Sequence, residues 1–283
     1  MPILADTHMH SSFSADSDTP MEEQIRAAFR KGLKLICFTE HLDLDTPYLN
    51  DPPADRLRFD FDYERYHRKF LELQEQYGGI DLRFGVELGL VSSLKEELAS
   101  YVSSHPGYDY IIGSTHSVRR MDPYYDSYFA GRSAGEAFRE YFAQSLENVR
   151  TCIDLFDSYG HLDYVLRYGP QCADGSTPER TAGFYYRGNA DLIDPLLQLL
   201  IDHGKALEVN TQAYKKGFPE TNPGKAVLAR YYELGGRLIT IGADAHTPDG
   251  VGFGFDRAAS LLKQIGFREY LTFRRRKPEP HPL

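Results

Sequence analysis

The stretch ILADTHMHSSFSADSDTP, residues 3–20, turns from an apolar run straight into Asp6-Thr7-His8-Met9-His10, with an acidic residue following at Asp16. In extended backbone alternate side chains leave the same face, so His8 and His10 point one way and can reach one ion. A lone HxH says little, and its meaning rests on whether matching residues recur. They do, and the way they recur sets the expected fold. Short, mostly apolar runs lie at Ile3–Ala5, Leu33–Thr39, Leu82–Leu88, Tyr108–Ser114, Leu162–Leu166, Ala206–Asn210 and Arg237–Gly242, with helical segments between them. Runs that are apolar throughout, without alternation, fit parallel strands covered on both faces. Seven such runs predict an α/β protein built as a (β/α) barrel, whose chemistry collects at the C-terminal ends of the strands.

Read at those ends, the sequence is rich in ligands. The second run ends in FTEHLD with His41, the third in FGVELGL with Glu87 and the fourth in IIGSTHSV with His116. The fifth, in YGHLDYVLRYG, has His161 at its start and Arg167 near its end; the sixth ends in LEVNT with Asn210, and the seventh in TIGADAH with Asp244 and His246. Six of the ten histidines therefore gather at one rim. With Asp16, Glu87 and Asp244 they make nine candidate ligands. One ion takes roughly four to six, so the set suits two or three divalent ions. Zinc, manganese and iron accept the same imidazole and carboxylate donors. The DxH of Asp244 and His246 repeats the HxH spacing at the far end of the chain, and a barrel brings first and last strands together. Reading each histidine as a hydrogen-bonded core or loop residue requires that coincidence six times.

Composition narrows the classes. A chain of 283 residues with 41% hydrophobic and 26% charged residues is expected to form a single domain over 1–283, with a peripheral tail from about 274 onward. A net charge of −9 disfavours nucleic acid as a partner, because phosphate backbones need a basic surface. It leaves an anionic substrate open, since bound metal inverts the local potential. Cys37, Cys152 and Cys172 are odd in number and lack CxxC spacing, which reads as reduced thiols. Neither a signal peptide nor a membrane span is expected, and the cytoplasm is the default location. Helix starts are expected at Thr19-Pro20-Met21-Glu22, Ser93–Glu96 and Ser133–Glu136, and helix ends at Lys31-Gly32 and His203-Gly204. The irregular piece from Leu42 to Phe61 reads as a loop over a site.

The segments DTHMHSSFSADS, FTEHLD, GVELGL, GSTHSV, GHLD and GADAH resemble the motifs of the PHP (polymerase and histidinol phosphatase) family, in order and over nearly the whole chain. The resemblance implies a distorted, TIM-like (β/α)7 barrel holding up to three divalent metals. By motif position His8, His10, Glu87 and Asp244 bind the first ion. Glu87 bridges to a second held by His116 and His161, and Asp16, His41 and His246 hold the third. The family also uses histidine at the Asp16 position, and Asp18 is close by. Within the family, the loop after TEHLDLDTP and the phrases FDYERYHRKFLELQEQYGGIDLRFGVELGL, DYIIGSTHSV and GHLDYVLRYG are similar to the monofunctional histidinol-phosphatases. That similarity implies hydrolysis of L-histidinol phosphate in histidine biosynthesis, with metal ions generating hydroxide near neutral pH.

For such a reaction Arg167 is the first choice to bind phosphate, since guanidinium matches phosphate oxygens bidentately. Arg119, Arg120, Lys215 and Lys216 are further cations. Asp244 or His246 are the candidates to protonate the leaving alkoxide. Glu40, Asp43 and Asn210 are candidates for the substrate amine and imidazole, or, for the two acids, carboxylates that orient metal-bound histidines. The aromatic stretch DPYYDSYF, residues 122–129, is a candidate pocket wall. Two rivals stand beside this reading: a phosphoesterase for another small ester such as a nucleotide, and a non-catalytic metal-binding protein on the same scaffold.

Overall fold

The computed structural model describes residues 2–53, 57–168 and 178–283, with only the backbone described for 178–184. Seven strands form one parallel sheet in sequence order: β1 (Ala5–Met9), β2 (Leu35–Leu42), β3 (Asp81–Gly89), β4 (Tyr110–Ser114), β5 (Ser158–Tyr159), β6 (Ala206–Asn210) and β7 (Ile239–Gly242). Helices α1 (Met21–Arg30), α2 (Tyr63–Gln76), α3 (Lys95–Ser104), α4 (Ala134–Cys152), α5 (Pro178–Asp202), α6 (Gln212–Lys215), α7 (Lys225–Glu233) and α8 (Phe255–Ile265) fill the crossovers. Every residue of β1, β2, β4, β6 and β7 is buried, as continuous apolar runs with cover on both faces require. The first and last strands meet through a bridge at Met9 and Ala245, where His10 N donates to Ala245 O at 3.0 Å and Asp244 N donates to His8 O at 2.8 Å. Gln24 of α1 rivets this seam, its Nε2 donating to both His10 O and Ala245 O. The result is the expected distorted (β/α)7 barrel.

Three local expectations are corrected. The fifth strand is not Leu162–Leu166 but the two residues Ser158 and Tyr159; Tyr164–Arg167 is a 3-10 turn that buries Tyr164, Val165 and Leu166. A short apolar run looks the same whether it lies in a strand or in a buried turn. His161 consequently follows β5, and so joins the rim like the other ligands. The helix α3 begins at Lys95, two residues after Ser93, following a 3-10 turn at Ser92–Leu94 and with no side-chain cap. The helix α1 starts at Met21 without a side-chain cap, because Thr19 Oγ1 donates instead to His246 O at 2.9 Å. The box at Ser133 and Glu136 does cap α4 reciprocally, and Gly32 and Gly204 take the positive φ of helix ends.

The chain ends in an antiparallel hairpin, β8 (Glu269–Arg274) and β9 (Lys277–Pro282), that the apolar-run reading missed. Leu271 and Phe273 pack under the barrel against Cys37, Tyr110, Ile112 and Ala206, with Phe273 stacked on Tyr110 at 5.0 Å. Arg83 is buried beside them, donating to Phe273 O at 2.7 Å and to Glu279 at 2.8 Å. The residues expected to form a peripheral tail are largely exposed, yet they tie the hairpin to the floor of the barrel. Cys37 and Cys152 are free and buried, and Cys172 lies outside the described residues. Among the described residues no helix is long and apolar enough to cross a membrane.

Candidate metal centre

The rim at the C-terminal strand ends brings the nine predicted ligands together around Glu87, which is fully buried at the end of β3. Glu87 Oε2 lies 3.1 Å from His8 Nε2, 3.5 Å from His10 Nε2 and 3.1 Å from His41 Nδ1. Its Oε1 lies 2.7 Å from His161 Nε2 and 3.2 Å from His116 Nε2, and accepts from Ser114 Oγ at 2.6 Å. Asp244 Oδ1 completes the first group at 3.4 Å from His10 Nε2 and 3.8 Å from His8 Nε2. Asp244 sits at φ 52°, a left-handed backbone that Asp tolerates better than most residues. Asp16 Oδ2 lies 3.1 Å from His246 Nε2 and 3.5 Å from His41 Nε2, and these contacts bring Asp16 to the rim. The rings of His41 and His246 stack on that of His10, with centroids 4.1 and 4.2 Å away.

The donor set fits divalent metal. Four histidines spend Nδ1 on an outward partner: His8 on Glu208 Oε1 at 2.6 Å, His116 on Asp43 Oδ1 at 2.9 Å, His246 on Asp244 O at 3.1 Å and His10 on Ser14 Oγ at 3.1 Å. Ser14 Oγ accepts there because it donates to Glu40 at 2.6 Å. With the N–H outside, each Nε2 presents a lone pair to the centre, the tautomer a metal needs. The Nε2 atoms of His8 and His10 then face each other at 3.1 Å, an arrangement that repels unless a cation lies between. Burial alone raises a carboxyl, yet the surrounding histidines hold Glu87 well below its ordinary range, and His8 with Arg167 do the same for Asp244.

Beside the rim opens a pocket of about 210 Å³. Its metal side is His41, His116, His161, Asp244 and His246; its far side is Tyr48, Phe59, Asp122, Tyr164 and Tyr168, with Arg167 and Lys216 between. Arg167 is buried, with Nη1 on Asp244 Oδ2 at 2.8 Å, Nη2 on Asn210 Oδ1 at 2.9 Å and Nε on Asn222 Oδ1 at 3.0 Å. Among the described residues these bonds take three of its five N–H groups. Lys216 Nζ lies 4.4 Å over the Tyr168 ring, and burial, with Arg167 nearby, lowers it to about 8. Asp122 accepts from Tyr124 N and Tyr164 Oη, and burial raises it to about 7.

The PHP domain model matches residues 6–212. The chain belongs to the PHP family. A histidinol-phosphatase of Lactococcus lactis is 31% identical over 95% of this chain and 93% of its own length, and a probable histidinol-phosphatase of Clostridium acetobutylicum is 32% identical over 94% and 95%. The solved structure of histidinol phosphate phosphatase from Lactococcus lactis, complexed with zinc, L-histidinol and phosphate, superposes with a TM-score of 0.84 at 30% identity, covering 97% of this chain and 98% of that one.

In this PHP barrel several predicted site residues lie outside the pocket. Asn210 is fully buried, and its amide is spent on Arg167, Glu208 and Asp244, so it does not face the pocket. Arg119 is 77% exposed and pairs with Glu140, and Arg120 reaches Pro47 O from the surface. Lys215 pairs with Thr247 and Asp249 outside the pocket; its neighbour Lys216 lines it. Glu40 serves Ser11 and Ser14 behind His10, whereas Asp43 lines the pocket and accepts from His116 Nδ1. Of DPYYDSYF only Asp122 lines the pocket; Tyr124 is exposed and Tyr128 packs in the core. Asp244, held ionised between His10 and Arg167, suits a ligand and not a proton donor. The sequence reading passed over Glu208, Asp122, Tyr48 and Phe59. An acid inside the apolar strand ALEVN, two residues before Asn210, was the available signal for Glu208.

Proposed function

We propose that this chain is a metal-dependent phosphomonoesterase that hydrolyses L-histidinol phosphate to L-histidinol and phosphate in histidine biosynthesis. The observation that carries it is full-length likeness to a structure complexed with zinc, L-histidinol and phosphate, combined with a rim whose nine ligands converge here. His8, His10, Glu87 and Asp244 would hold one ion, Glu87 with His116 and His161 a second, and Asp16, His41 and His246 a third. Divalent ions in such a site supply hydroxide near neutral pH and offset charge on phosphate oxygens.

The residues of the chain do the rest. Arg167 lines the pocket, and its N–H groups not taken by the described residues can hold non-bridging phosphate oxygens. Lys216 adds a second cation at the same wall. The organic part of the substrate carries an amine and an imidazole, and Asp122 offers a buried carboxylate among Tyr48, Phe59, Tyr164 and Tyr168 to receive a cationic group. A nucleotide has no such cation on its base, which favours the histidinol ester over that rival. His246, with Nδ1 on the Asp244 carbonyl and Nε2 facing Asp16, belongs with the ligands of the third ion. The acidic chain favours a small ester over nucleic acid, and buried free thiols at Cys37 and Cys152 suit the cytoplasm.

The test is turnover after metal removal and re-addition, with histidinol phosphate beside nucleoside monophosphates and p-nitrophenyl phosphate. The expected result is a kcat/KM for histidinol phosphate that exceeds the others by orders of magnitude. Preference for a nucleotide overturns the substrate, and absence of any metal-dependent turnover overturns the enzyme.

A further inference from the structure

Strand β6 carries a carboxylate in an otherwise apolar, wholly buried setting. Glu208 is 0% exposed, and its two oxygens are divided among three donors. Oε1 accepts from His8 Nδ1 at 2.6 Å, while Oε2 accepts from the backbone N–H of His161 at 2.8 Å and from Asn210 Nδ2 at 3.2 Å. Asn210 passes the constraint on. Its Nδ2 also donates to Asp244 Oδ2 at 3.2 Å, and its Oδ1 accepts from Arg167 Nη2 at 2.9 Å and from Gln212 N at 3.0 Å. With carboxylates on one side and N–H donors on the other, the amide has one orientation. Glycine leaves room for this arrangement. A Cβ on Gly242 would fall 2.7 Å from Glu208 Oε1 and 2.3 Å from His8 Cβ.

We propose that Glu208 is a positioning residue that sets two parts of the site at once: the ligating geometry of His8 and His161, and, through Asn210, the direction of the Arg167 guanidinium. The second half rests on the reading of Arg167 as the phosphate-binding group. Only a carboxylate meets this demand. All of its donors are N–H groups, and two separate oxygens must accept them. A glutamine offers one oxygen and one NH2. Turned toward His8, the NH2 forces the other tautomer, which puts the proton on Nε2 and removes the lone pair that faces the centre. Turned toward β5, it confronts the His161 N–H and the Asn210 NH2, donor against donor.

The experiment compares Glu208→Gln, Glu208→Asp and Asn210→Ala with wild type, read by metal affinity in competition with a chromophoric chelator and by inhibition with inorganic phosphate at saturating metal. Glu208→Gln should bind metal about 10- to 100-fold more weakly, the usual cost of losing a partner of a ligating histidine. It should also raise the inhibition constant of phosphate, since Arg167 loses its alignment. Glu208→Asp, one methylene short of His8, should weaken metal binding in the same direction, and it carries the test if the glutamine variant does not fold. Asn210→Ala should keep metal affinity within about threefold while weakening phosphate about tenfold, one charge-assisted hydrogen bond. A purely structural Glu208 would lower Tm and leave the folded fraction with wild-type metal affinity; that result overturns the proposal. Phosphate inhibition unchanged in both Glu208→Gln and Asn210→Ala overturns the Arg167 half. If Arg167→Ala itself leaves phosphate inhibition unchanged, the phosphate reading fails, while loss of metal affinity in Glu208→Gln still supports the first half.

Discussion

Replacing Arg167 by alanine separates its ion pair with Asp244 from the phosphate binding proposed for it. Three N–H groups hold Asp244, Asn210 and Asn222, and on the proposed reading the other two hold phosphate. A charge-assisted hydrogen bond contributes roughly 1.5–3 kcal/mol, so two of them stabilise the transition state by about 3–6 kcal/mol. At about 1.4 kcal/mol per factor of ten, kcat/KM should fall by about 10²- to 10⁴-fold. Alanine also strips the buried Asp244 of its cation, and breaking such a pair costs about 3–5 kcal/mol of stability. Arg167→Lys restores the charge without the planar fork and should recover only part of either loss. The assay measures kcat/KM, metal content and Tm on one preparation. A lowered Tm alongside wild-type kcat/KM at full metal occupancy would show that Arg167 is an ion-pair partner of Asp244 only, and would refute its role in phosphate binding.

Glu87→Gln should be the most damaging ligand change, because both oxygens of that carboxylate face ligating nitrogens. Elemental analysis should show it losing more metal than any single histidine variant, and full retention would contradict the bridging role. Wild-type protein kept free of chelator should carry two to three divalent ions per chain, lose activity in strong chelator and regain it with zinc or manganese; full activity with less than one ion would sink the metal mechanism. Asp122→Asn should raise KM for histidinol phosphate about 10- to 100-fold, with little change for p-nitrophenyl phosphate, which lacks the cation. Because burial lifts Asp122 from 3.8 to about 7, the folded state holds the extra proton between those values. Stability should therefore fall as pH rises from about 4 to 7, and urea titrations should find that slope reduced in Asp122→Asn.

The candidate metal rim was legible because all its histidines, Glu87 and Asp244 lie beside apolar runs, and strand ends are where barrels place chemistry. His8, His10, Glu87 and Asp244 needed only that rule. The pocket was less legible, since its wall comes from loops whose path no periodicity describes. Tyr48 and Phe59 come from the irregular piece after β2, and Asp122 from a stretch noted for its tyrosines. Asn210 was found by position and misread by role: its strand-end location suited a substrate contact, but a buried amide between Glu208 and Arg167 has no donor or acceptor left for one. Lys215 and Lys216 are adjacent in sequence, and only the turn of α6 decides which reaches the pocket. The hairpin of β8 and β9 escaped because prolines at 278, 280 and 282 hide a strand, which tolerates them at a sheet edge.

The hairpin under the barrel also bears on how the chain is made. Arg83 in β3 takes its partners from Phe273 and Glu279, 190 and 196 residues later. At the other end of the barrel His8 and His10 wait for Asp244 and His246. Neither floor nor rim can close on a ribosome-bound fragment, whatever helices and strand pairs it has already formed. Contacts of such long range make folding slow, and they leave the group of His8, His10, Glu87 and Asp244 incomplete until the last strands dock. A chain truncated before the hairpin would expose the apolar underside of its barrel around Cys37, Tyr110, Ile112 and Ala206.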